Sequence, residues 1–142
     1  MTNKQIIEKA VSTLLDPLAR EQLQRLNWLE LSCADGSPDD YPVVRTGSGP
    51  PVLMLHGFDS SNLEFRRLTP LLKKNNTLII PDLFGFGFCP RPDHSSYGPW
   101  SVLSHLDALI KTISKDEPIG VIGASMGGSV AMELARRYPE RI

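Results

Sequence analysis

The chain has 142 residues, enough for one domain with its own core. With 41% hydrophobic residues, 22% charged residues and a net charge of −1, it has the composition of a globular protein, and no charge bias toward nucleic acid or an anionic membrane surface. Its two cysteines, Cys33 and Cys89, form neither a disulfide framework nor a C-x-x-C pair, and no histidine is placed to complete a zinc site, so no metal or cofactor is called for. The polar start over residues 1–5 does not read as a signal peptide and no apolar run is long enough to span a membrane; the expectation is a soluble, cytoplasmic protein.

In chain order, Ile6, Ile7, Ala10, Val11, Leu14, Leu15 and Leu18 recur at helical spacing. Asp16-Pro17 breaks the pattern as an N-cap followed by a first-turn proline, so a second short helix is expected there, with Leu23 and Leu26 on its apolar face. Residues 1–27 thus form a helical extension that either packs on the domain or reaches a partner. Residues 28–33 alternate as a strand, residues 34–40 carry turn residues, and Val43-Val44-Arg45 reads as a short strand. The run Val52–Leu55 is continuously apolar, as strands buried on both faces are, and Thr77–Ile80 and Ile119–Ile122 read as a second and a third buried strand. Between them lie helical patterns over Leu63–Lys74, with Thr69-Pro70 starting a fresh turn, and over Trp100–Ile113; a last helix runs from Met126 to Arg137, and the cluster Arg136, Arg137 and Arg141 reads as a basic helix terminus. Strands alternating with helices predict an α/β fold, a mostly parallel sheet flanked by helices.

Three motifs carry chemistry. Gly123-Ala124-Ser125-Met126-Gly127 fits G-x-S-x-G between an apolar strand and a helix. A sharp strand-to-helix turn crowds the positions two before and two after the serine, so Gly123 and Gly127 remove a Cβ clash and Ser125 sits exposed at a strained tip beside a helix N-terminus, where free N–H groups suit a developing oxyanion. Gly128 is expected to allow close helix packing. His56-Gly57-Phe58 follows a buried strand; Gly57 lets the backbone come close, and the N–H of Phe58 can aim at a substrate oxygen. In Pro81-Asp82-Leu83-Phe84-Gly85-Phe86-Gly87, Asp82 is expected to pin its loop through backbone N–H groups rather than to act in catalysis. Phe84, Phe86, Phe88 and Trp100 either line an apolar pocket or fill the core.

These motifs, with Arg137-Tyr138-Pro139-Glu140-Arg141, stand in the order and at the intervals of the α/β-hydrolase superfamily, which the chain resembles from about Trp28 onward. The resemblance implies Ser125 as nucleophile of an acyl-enzyme, the N–H groups of Phe58 and Met126 as oxyanion hole, and a structural role for His56. A serine where dehalogenases and epoxide hydrolases of this superfamily carry aspartate implies an ester, thioester or related carbonyl substrate. The Ser-Met-Gly-Gly form resembles lipase-like esterases and hydrolases that cleave a carbon–carbon bond beside a ketone, so the implied substrate is a small apolar ester or ketone.

The departure from the family pattern is large. The family triad runs serine, acid, histidine along the chain. The 17 residues after Ser125 hold no Asp and no His, and His56, His94 and His105 all precede it. The resemblance therefore covers the N-terminal half of such a domain, residues 28–142, and predicts little activity for this chain alone. The strand Ile119–Ile122 would be left as an edge that invites a C-terminal half or a second copy. The alternatives are a non-catalytic remnant or binding module of the same fold, and an acyltransferase using the same serine.

Overall fold

The computed structural model describes residues 1–32 and 38–142; Cys33 and most of the expected 34–40 turn lie outside the described residues. Thr2 and Gln5 form a capping box at the start of α1 (Asn3–Ala10). The Asp16 carboxylate accepts from the N–H groups of Leu18 and Ala19 at the start of α2 (Pro17–Leu23), as the Asp-Pro pair predicts. This N-terminal segment packs on the rest of the chain. Asn3 donates to the Phe88 carbonyl at 3.0 Å, Asp16 pairs with Arg66 at 2.6 Å, and buried Gln22 accepts from the Thr69 hydroxyl at 2.8 Å.

The sheet contains β1 (Leu26–Ser32), β2 (Pro38–Gly47), β3 (Pro51–Leu55), β4 (Thr77–Pro81) and β5 (Gly120–Gly123), in the order β1-β2-β4-β3-β5. It is mixed: β1–β2 and β2–β4 are antiparallel, while β4, β3 and β5 run parallel. β2 is much longer than the short strand expected from Val43-Val44-Arg45. Its first half pairs with β1 alone, because the β4 ladder begins only at Val43. Pro42 accepts the Asp82 N–H on the β4 side just beyond that ladder, so its missing donor leaves no rung broken.

Adjacent residues of a strand face opposite sides, and both sides of this sheet are covered, hence the unbroken apolar runs. Leu53, Leu55 and Ile79 lie under α4 (Pro99–Ile113) and α5 (Met126–Arg137) with Leu106, Leu109 and Leu134. Met54, Leu78 and Ile80 face the other way, against Phe65, Leu68 and Leu72. The helix expected over residues 63–74 is broken into a 3-10 turn at Asn62–Phe65 and a single α turn, α3 (Thr69–Leu72). Pro70 cannot donate to the preceding turn and its ring crowds the carbonyl four residues back, so the helix restarts there. β5 is less buried than its sequence suggests. Val121 and Ile122 are half-buried, and among the described residues β5 pairs with β3 alone, leaving its other edge open. No described helix is long and apolar enough to cross a membrane.

Candidate active site

β5 runs into α5 through Ala124 and Ser125. The Ala124 N–H donates to the Leu55 carbonyl at 3.0 Å, its carbonyl accepts from Gly127 at 2.8 Å, and the Ser125 carbonyl accepts from Gly128 at 2.9 Å. Ser125 is driven to φ 51°, ψ −117°, a left-handed-side conformation that costs a non-glycine residue about 1–3 kcal/mol. Its side chain is exposed and has no hydrogen bond to any described residue. The glycines around it are required by space. A Cβ on Gly123 would overlap the Gly127 carbonyl, and one on Gly127 would overlap the carbonyl of Leu55. Gly128 is freer than expected, since a Cβ there would lie 3.4 Å from the Gly123 oxygen, an ordinary contact.

The loop after β3 faces this turn. A Cβ on Gly57 would stand 3.5 Å from both the Ala124 oxygen and the Ser125 Cβ, so the two loops meet at van der Waals distance with room to spare. Asp59 closes the loop at φ 52°, a conformation aspartate tolerates in turns. The backbone N–H groups of Phe58 and Met126 have no acceptor among the described residues. Met126 opens α5, so its N–H belongs to the positive end of a 12-residue helix.

His56 is fully buried beneath this loop. Its Nε2 accepts the Leu83 N–H at 2.9 Å, which leaves Nδ1–H to donate to the Gly57 carbonyl at 2.8 Å. Both ring nitrogens are thereby committed to holding backbone. Asp82 is equally buried. Its Oδ1 accepts from the N–H and the side-chain amide of Asn62 at 2.6 and 2.8 Å, and its Oδ2 from the Phe88 N–H at 2.7 Å. Burial pushes its carboxyl above the usual range against the pull of these donors. Asp82 thus ties its own loop to the Asn62 turn, and Gly87, at φ +55°, is the residue that lets Phe88 reach it.

The remaining histidines are elsewhere. His94 is exposed on the loop before α4. His105 lies in the core, its ring 4.8 Å from Tyr41 and 6.1 Å from Phe84, with neither nitrogen hydrogen-bonded among the described residues; burial lowers its pKa to about 4.

A cavity of about 400 Å³ opens beside the serine turn, with Phe58, Phe86, Tyr97, Val102, Leu103 and Met126 among its walls. The aromatics that the sequence left undecided separate here. Phe84 is core and stacks on Tyr97, Phe86 lines the cavity edge-on to Phe58 at 5.5 Å, and Phe88 lies in a groove under α1. Trp100 is 74% exposed and carries the Arg137 guanidinium over its ring at 5.0 Å.

Sequence reasoning missed Glu64 and Asn62. Ser61-x-x-Glu64 has the spacing of a capping box, and Ser61 does cap the turn, accepting from Leu63. Glu64, however, reaches back past Ser61 to the N–H of Gly57 at 2.8 Å.

Comparison with known proteins agrees with this architecture. The model of the alpha/beta hydrolase fold family matches residues 50–142. A cis-3-alkyl-4-alkyloxetan-2-one decarboxylase of Shewanella oneidensis is 36% identical over 101 residues, covering 70% of this chain and 32% of that protein. The alpha/beta hydrolase domain-containing protein VTE7 of Arabidopsis thaliana is 33% identical over 145 residues, covering 96% of this chain and 43% of that protein. A meta-cleavage product hydrolase from Pseudomonas fluorescens, solved as a serine-to-alanine mutant complexed with acetates, superposes with a TM-score of 0.70 at 28% identity, over 83% of this chain and 43% of that one. The chain thus spans less than half the length of each of these proteins. With the sheet order, the serine turn and the match over residues 50–142 in agreement, the chain belongs to the α/β-hydrolase fold family.

Proposed function

We propose that this chain carries the nucleophile half of a serine hydrolase acting on a small apolar ester or ketone. Ser125 Oγ attacks the carbonyl carbon, the new O–C bond forms, and the Phe58 and Met126 N–H groups receive the oxyanion. Collapse breaks the bond to the leaving group, which takes up the proton lost by Ser125; water then releases the acyl group and restores the serine. The proton must travel through a base, a role for which His56, committed to backbone, and His105, locked in the core, are not free; His94 is exposed on the loop before α4. The apolar walls of the cavity suit a hydrocarbon acyl or alkyl group.

The observation that carries this reading is Ser125 held at φ 51° with a free, exposed side chain at a helix N-terminus. Such strain persists where the surroundings enforce it, as at catalytic sites. A second reading, a binding module that uses the pocket without the chemistry, is favoured by the cavity itself, whose lining beside the serine turn is mostly apolar and includes no histidine among the described residues.

The test is modification by a fluorophosphonate probe, located by peptide mass spectrometry, with and without added imidazole as a substitute base. The expected result is slow attachment at Ser125, faster with imidazole and lost in Ser125→Ala. A folded chain that stays unmodified at Ser125 even with imidazole would favour the binding module instead.

A further inference from the structure

Gly57 is held on both sides by side chains. Its N–H donates to Oε2 of Glu64 at 2.8 Å, and its carbonyl accepts from Nδ1–H of His56 at 2.8 Å. These two bonds fix two successive peptide planes. The Gly57 carbonyl and the Phe58 N–H belong to one trans peptide, so they point in opposite directions. With His56 drawing the carbonyl inward, the Phe58 N–H is turned outward, and it finds no acceptor among the described residues. The Glu64 bond fixes the plane before it. Without that bond Gly57, the most permissive residue type, could rotate and carry the Phe58 N–H with it. Glu64 and the serine flank the same point, since the site of a Gly57 Cβ is 3.6 Å from Glu64 Oε2 and 3.5 Å from Ser125 Cβ.

We propose that Glu64 is a positioning residue for the oxyanion-binding N–H of Phe58, acting through the peptide planes of Gly57. The inference rests on the acyl-enzyme reading of Ser125. The role needs an acceptor atom at the right reach and not a negative charge, because a charge beside a developing oxyanion opposes it. Glutamine keeps the acceptor and the reach; aspartate keeps the charge and is one methylene short; alanine keeps neither.

The experiment measures the rate of Ser125 modification by the fluorophosphonate, with imidazole present, in the wild type and in Glu64→Gln, Glu64→Asp and Glu64→Ala. Loss of one oxyanion donor slows reactions by 10²–10³, so loosening one should cost about tenfold. The Ala and Asp variants are expected to be slower by about that factor, and Gln to match the wild type or exceed it. The Gly57 amide proton resonance should move upfield in the Ala variant and stay near its place in Gln, a readout that a change in stability alone does not give. Equal rates in all four proteins, or a Gln variant as slow as Ala, would overturn the proposal. An unreactive Ser125 in the wild type would instead bring down the acyl-enzyme reading, and this role with it.

Discussion

Gly127 and Leu55 meet backbone to backbone, since a Cβ on Gly127 would fall onto the Leu55 carbonyl oxygen and against that of His56. The Leu55 carbonyl is also the acceptor of the Ala124 N–H, so it cannot retreat without opening the junction of β3 and the serine turn. Gly127→Ala should therefore cost about 3 kcal/mol or more, the range of enforced overpacking against atoms that cannot move. Gly128→Ala, one residue on, meets nothing closer than 3.4 Å and should gain up to about 1 kcal/mol from helix propensity. Urea unfolding of the two variants checks both signs. Equal effects would mean the turn is looser than this contact requires.

His105 gives the fold an acid limit. Its pKa is lowered to about 4 by burial, against about 6.5 in an unfolded chain. The unfolded state therefore binds more protons between these values, and stability rises with pH there. The contribution of a neutral His105 is fully present above about pH 6.5 and is lost as the pH falls toward 4, a change of about 3 kcal/mol. Chemical denaturation across that window should show the slope, and His105→Phe, a hydrophobe for the contacts with Tyr41 and Phe84, should flatten it. A slope unchanged in the variant would assign the acid limit to other groups.

Asp82 is the loop's buried fastener. Asp82→Ala leaves three N–H donors, two from Asn62 and one from Phe88, without their acceptor, and each buried orphan costs about 1–3 kcal/mol. A loss of about 3 kcal/mol or more is expected in urea unfolding, whereas Asp93→Ala, on the exposed loop before α4, should change stability by about 0.5 kcal/mol or less. A mild Asp82→Ala would mean that water takes over the stranded donors.

What could be read from the sequence was what local sterics decide. The serine turn needs glycines two residues to either side, and the Asp16-Pro17 start of α2 needs only its own side chain and backbone. The role expected of Asp82 was legible in kind, as an aspartate in a Gly-spaced turn, but its strongest partner, Asn62, is twenty residues away and leaves no trace in local pattern. The same holds for the N-terminal half of β2. Asp39 and Asp40 read as the end of a turn, and only pairing with β1 makes them a strand. Glu64 was hidden for a further reason. Its spacing from Ser61 fits a local cap, and nothing in the sequence tells that its carboxylate passes over Ser61 to reach Gly57.

β5 makes the last prediction. Its apolar sequence suits a strand covered on both sides, yet among the described residues it pairs with β3 alone. Because Ala124 donates to Leu55 on the β3 side, alternation along a parallel strand turns the N–H groups of Val121 and Gly123 toward the open edge. Such an edge recruits another strand, and a second copy of this chain offers an identical one. Sedimentation velocity over a range of concentrations should show association growing with concentration. Val121→Pro removes one outward donor while leaving the β3 ladder intact, and should shift the chain toward monomer. A wild type that stays monomeric throughout would show that the edge is protected by its shortness and the glycines at its two ends.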